Sequence, residues 1–225
     1  MRASGPRAAL AAALALAASG AWAASPSAVQ IQLDVAPAPV AGEVPEAAPP
    51  RFMLFEDGTV FVGGSSRLLS GRPDKAALRA IADQVDRVRR VAGLGSEVNF
   101  GRGATRYRLQ LAKGVVITAV GEPGQAAAGQ KPLADLIEAL LRFDDPMLRD
   151  FRPAQYAVSA REAKLVGGCR AWTLPVSLPD AVAAPRAVPA EAAADWPTGG
   201  VAASVCSGGK SYAVSLKPLL PGERP

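Results

Sequence analysis

Two rhythms of hydrophobic spacing alternate along this 225-residue chain. A period of two marks half-buried strands, and steps of three and four mark amphipathic helices. Over residues 27–35, Val29, Ile31, Leu33 and Val35 alternate with Gln30, Gln32 and Asp34. That predicts a strand with one buried face, or an ordered tail that pairs loosely. Five prolines follow between Ala36 and Pro50. They remove ladder donors and favour extended chain, so the stretch reads as a linker or surface crossing. Residues 51–62 predict a hairpin: Phe52-Met53-Leu54-Phe55, a turn at Asp57-Gly58, and Val60-Phe61-Val62. Asp-Gly tolerates the positive φ of a tight turn.

The next segment, 73–92, changes period. Leu78, Ile81, Val85 and Val88 make one stripe, Pro73 and Asp74 suit a helix start, and Gly93 suits a stop. A second hairpin is predicted over 104–111 and 115–120. Tyr107, Leu109 and Leu111 alternate with Arg106, Arg108 and Gln110, and the nearly continuous apolar return suggests a central strand. A soft loop, 121–131, precedes a second helix over 132–143, with Leu133, Leu136, Ile137, Leu140 and Leu141 on one face. Asp144-Asp145-Pro146 ends it. Further on, strands are expected over 154–160 and 167–174, then an Ala- and Pro-rich crossing over 175–197. A last hairpin turns at Ser207-Gly208-Gly209-Lys210.

These elements define an α+β fold, with a mainly antiparallel sheet built from hairpins, two covering helices and one disulfide. Hairpin followed by helix occurs twice, but the two units do not align as a sequence repeat. The expected organisation is a signal peptide over 1–23, an N-terminal strand and Pro-rich linker over 24–50, and an α+β core over 51–160. A disulfide-braced extension over 161–225 packs on that core.

Location comes from the two ends. Arg2 and Arg7 form a basic start, residues 8–18 are an uncharged Ala/Leu run, and Ala21-Trp22-Ala23 supplies the small residues of a cleavage site after Ala23. The run is too short for a helix to cross about 30 Å of hydrocarbon, so no transmembrane anchor is expected. The two cysteines, Cys169 and Cys206, then read as one bridge in a periplasmic or secreted chain. By the chain-entropy argument such a bridge contributes about 4 kcal/mol.

Composition mostly excludes. There is no histidine, which removes the usual Ser-His-Asp and Cys-His nucleophiles and imidazole-based zinc sites. The formal charge of +5 falls to about +3 once Arg2 and Arg7 are cleaved away, too little for a nucleic-acid binder. No catalytic, cofactor or metal residue is assigned, and no cofactor is expected. Ser207-x-x-Lys210 has the spacing of a serine acyl-transferase pair, but two glycines in a hairpin turn cannot supply the helix that chemistry needs. Gly209-Lys210-Ser211 lacks the glycine that a phosphate loop requires five residues earlier. Asp144 and Asp145 are candidates for carboxylate chemistry, and equally a helix-ending turn. Arg106 and Arg108 beside Tyr107 make a possible contact surface for an acidic partner, and equally the solvent face of a strand. Trp196 is a possible surface contact, and equally a plug that pins the crossing to the core.

The stretch Phe52-x-Leu54-Phe55-x-Asp57-Gly58-x-Val60, with a helix opening near Leu78, resembles a segment recurring in bacterial envelope proteins of unknown function. The likeness covers 51–120 and implies no activity or catalytic residues. The expected function is therefore non-enzymatic: an exported bacterial binding or interaction module of the cell envelope, with an envelope protein or glycan as partner. The alternatives are a carboxylate-based hydrolase of envelope polymers using Asp144 or Asp145, and an inhibitor of a secreted enzyme presenting the hairpin around Gly208.

Overall fold

The computed structural model of the protein describes residues 28–36, 48–63, 67–164 and 168–225. The expected signal peptide, its cleavage after Ala23 and most of the Pro-rich linker lie outside the described residues. Among those described, the chain forms twelve strands in two sheets, with three α-helices. This is the expected α+β class, and the disulfide joins Cys169 to Cys206. Among the described residues no helix is long and apolar enough to cross a membrane.

The first sheet is built around β1 (Val29–Ala36), which pairs antiparallel with β2 (Phe52–Phe55) on one side and β6 (Arg106–Leu111) on the other. A loosely paired tail is thereby ruled out: β1 is an interior strand. Beyond β2 lie β3 (Val60–Val62), β4 (Leu69–Gly71) and the two-residue β8 (Arg149–Asp150). Beyond β6 lies β7 (Val115–Val120), and β5 (Glu97–Asn99) runs parallel to β7 at the edge. The apolar return strand is thus one place from the edge, and Val116 and Val120 on its second face are only half-buried.

Helices α1 (Lys75–Arg89) and α2 (Lys131–Leu141) pack side by side, and their apolar stripes join the sheet in one core. Asp74 caps α1 by accepting from the Ala77 amide at 2.7 Å. Leu133, Leu136, Ile137 and Leu140 of α2 are fully buried, together with Leu33, Phe52, Val60 and Leu109 of the sheet. Phe143 closes the end of this core edge-on to Phe52.

The second sheet has the order β10-β9-β12-β11. Strand β9 (Gln155–Glu162) pairs with β10 (Arg186–Pro189) and β12 (Lys210–Pro218), and β12 pairs with β11 (Ala203–Ser207). The strand expected to close the first unit, over 154–160, therefore belongs to this sheet. Its inward Val158 sits in the second core with Val205, Val214 and Leu216. The supposed crossing over 175–197 contains α3 (Leu178–Ala183), capped by the Ser177 hydroxyl, as well as β10. The strand expected over 167–174 does not form among its described residues: a single parallel bridge joins Arg170 to Val205. The last hairpin forms as expected, with Gly208 and Gly209 at φ 58° and 75° in its two-residue turn. Past β12, Leu220 packs on the face of the first sheet opposite the helices, against Met53, Phe55 and Phe61.

Candidate functional site

Because Tyr107, Leu109 and Leu111 take the core side of β6, Arg106, Arg108 and Gln110 face the other way. On β1 the same alternation turns Gln32 and Asp34 to that face. The antiparallel register sets Asp34 opposite Arg108, Gln32 opposite Gln110 and Ala36 opposite Arg106. Arg108 Nη1 lies 3.5 Å from Asp34 Oδ2, and Gln32 Nε2 donates to the same carboxylate at 2.9 Å. Both members of the ion pair are partly exposed, so their mutual attraction contributes about 1 kcal/mol or less.

These side chains wall a cleft of about 330 Å3. Pro49 and Pro50 also line it, and Lys217 of β12 joins from the second sheet. Lys217 Nζ donates to the Glu223 carboxylate. Three cations thus line the cleft, Arg108 paired with Asp34 and Lys217 with Glu223, which leaves Arg106 as the one without an ion pair among the described residues. Guanidinium forks match the paired oxygens of carboxylate, phosphate and sulfate groups, so the arrangement suits a small acidic group on a larger partner. Among the described residues no group of three His, Cys, Asp or Glu side chains is gathered that could hold a metal ion.

Arg106 and Arg108 lie on the same face of β6 and both line the cleft. Trp196 is not on the surface: it is 4% exposed, edge-on to Trp172 with its ring centroid 5.6 Å away, and the Arg170 guanidinium lies 4.2 Å above it. It acts as the plug, held further by donation from Nε1 to Thr173 Oγ1. Asp145 is also buried, and its carboxylate accepts from the Met147 amide at 2.8 Å, which makes it part of the turn after α2. Asp150 pairs with Arg67 at 2.6 Å, and that guanidinium holds its carboxyl below the usual carboxylate range. Glu138 pairs along α2 with Arg142. These acids each have a separate structural partner. At the hairpin tip, Lys210 is raised above the usual lysine value by its hydrogen bond to Glu162.

Two charged residues lining the cleft escaped the sequence reading. Asp34 was legible as a polar-face residue of β1, but not as the partner of Arg108, because that needs the register of strands far apart in sequence. Lys217 alternates with buried Leu216 on β12, and nothing local says that the second sheet meets the first at this point. No protein family, curated protein or solved structure matches this chain, so the reading of the cleft rests on its own chemistry.

Proposed function

We propose that this protein is an exported component of a bacterial cell envelope, and that it works by binding rather than catalysis. Its contact surface is the cleft of Arg106, Arg108 and Lys217, and its partner is an envelope protein or glycan carrying acidic groups. The observation that carries this reading is the convergence of three cations from two different sheets on one cleft. The basic start and the small-residue cleavage motif ending at Ala23 support export, and a disulfide suits an oxidising compartment. The turn role of Asp145 argues against the hydrolase alternative.

The test is chemical crosslinking in intact cells, followed by mass spectrometry of what copurifies. One dominant envelope component is expected. Its recovery should fall about tenfold in an Arg106→Ala/Arg108→Ala chain and weaken as salt is raised. Recovery unaffected by both changes would overturn the cleft as the contact surface. The inhibitor reading keeps one observation in its favour: the exposed Gly208-Gly209 turn directly follows the disulfide at Cys206. Loss of the partner on altering Ser207 and Lys210, with the arginines dispensable, would select it.

A further inference from the structure

Both cysteines of the disulfide are exposed, unlike the apolar core beneath them. Cys206 is the penultimate residue of the outer strand β11, and Cys169 lies in a short strap, 168–173, joined to that strand by the bridge from Arg170 to Val205. Besides the disulfide, noncovalent contacts hold the strap: Trp172 packs edge-on to Trp196 and against the second core, and its Nε1 donates to the Val176 carbonyl at 2.6 Å. The Arg170 amide donates to the Ser204 carbonyl at 2.9 Å, its guanidinium donates to the Asp195 carbonyl at 2.9 Å and covers Trp196, and Thr173 accepts from Trp196. The ladders that build the sheet below do not run through the strap. Strand β12 keeps ladders to both β9 and β11, and Val158, Val205, Val214 and Leu216 are fully buried between other elements. Exposed disulfides are the ones open to thiol exchange, since the attacking thiolate must reach a sulfur.

We propose that the Cys169–Cys206 disulfide is a redox clasp, opened by a dithiol reductant, whose opening frees the 168–173 strap from β11 and uncovers Trp196. In the first step a thiolate of the reductant attacks one cysteine sulfur. The S–S bond breaks, a mixed disulfide forms, and the other cysteine leaves as a thiolate and takes a proton. The reductant's second thiolate then displaces the remaining cysteine and closes its own disulfide. The protein gains two electrons and two protons, and the dithiol is oxidised by the same amount. With the covalent tie gone, the strap is held only by the noncovalent contacts of Arg170, Trp172 and Thr173, each individually weak.

The experiment treats the folded full-length protein with dithiothreitol in the absence of denaturant. It reads alkylation of the cysteines by mass, amide hydrogen exchange, and acrylamide quenching of tryptophan emission. A Trp22→Phe chain leaves Trp172 and Trp196 as the only indoles. The expected result is alkylation of both cysteines, a severalfold rise in quenching and loss of protection at the Arg170 amide, with β9 and β12 amides still protected. A Cys169→Ser/Cys206→Ser chain should show the same exposure without reductant. Three results would overturn the clasp: no alkylation until denaturant is added, alkylation with unchanged quenching and exchange, or loss of protection across β9 and β12 as well. The last would make the bridge a brace of the whole second sheet.

Discussion

Arg51 donates from Nη1 to the Gly63 carbonyl and from Nη2 to the Leu141 carbonyl, each at 2.5 Å. The second carbonyl belongs to the last turn of α2, where backbone acceptors have no partner within the helix. One side chain thereby ties the helix end to the β2–β3 hairpin. Arg51→Met keeps the stem and loses both bonds, and is expected to cost about 2–3 kcal/mol. The check is a lowered urea midpoint at unchanged slope. Lys113, in the β6–β7 turn, presents the opposite case. Its φ of 67° places a side chain in left-handed backbone, which disfavours residues with a Cβ. Lys113→Gly removes that penalty against a smaller loss of chain entropy in the unfolded state, so a gain of about 0.5–1 kcal/mol is expected, visible as a higher melting temperature.

The β2–β3 hairpin shows what a short element can draw from one acid. The Asp57 carboxylate accepts from the Thr59 amide at 3.0 Å and the Thr59 hydroxyl at 2.9 Å, and pairs with Arg72 at 2.6 Å. These bonds, the Thr59 amide first, hold its pKa below the ordinary 3.8. A lowered folded value means the stabilisation is fully present above the ordinary pKa and is lost as pH falls through the folded one. The Thr59 amide resonance should therefore shift with a midpoint below pH 3.8. An Asp57→Asn chain should show no such transition, and a midpoint at or above the ordinary value would refute the assignment. This turn was legible in the sequence because Asp-Gly between two apolar runs has one common structural solution. Helices α1 and α2 were legible for the same kind of reason, from long stripes with clear ends. Strands β4, β5 and β8 were not, because two or three residues carry no period. Helix α3 and strand β10 were masked by alanine and proline, whose spacing carries little pattern. The alternation of β6 assigned Arg106 and Arg108 to a solvent face, but only register and sheet-to-sheet contact could add Asp34 and Lys217 to the same cleft.

At the scale of the molecule, the N-terminal strand carries the first sheet. β1 has ladders on both sides, so its removal would leave β2 and β6 each with one edge unpaired, split the sheet in two and open the core at Ile31 and Leu33. A chain lacking residues 28–36 is expected to lose cooperative unfolding and the dispersed amide spectrum of a folded sheet. Retention of both would show that β2 and β6 can close on each other. The position of β1 also governs how the chain is made. Ile31 pairs with Leu54 on one side but with Leu111 on the other. At roughly 5–20 residues per second of synthesis, the second partner arrives about 4–16 s after Ile31 itself. During that interval the nascent chain carries an apolar strand with one side unmatched, the form most prone to stick to its neighbours. Changes along β1 that leave the finished protein intact are thus expected to act on yield, through how often newborn chains need a chaperone to reach completion.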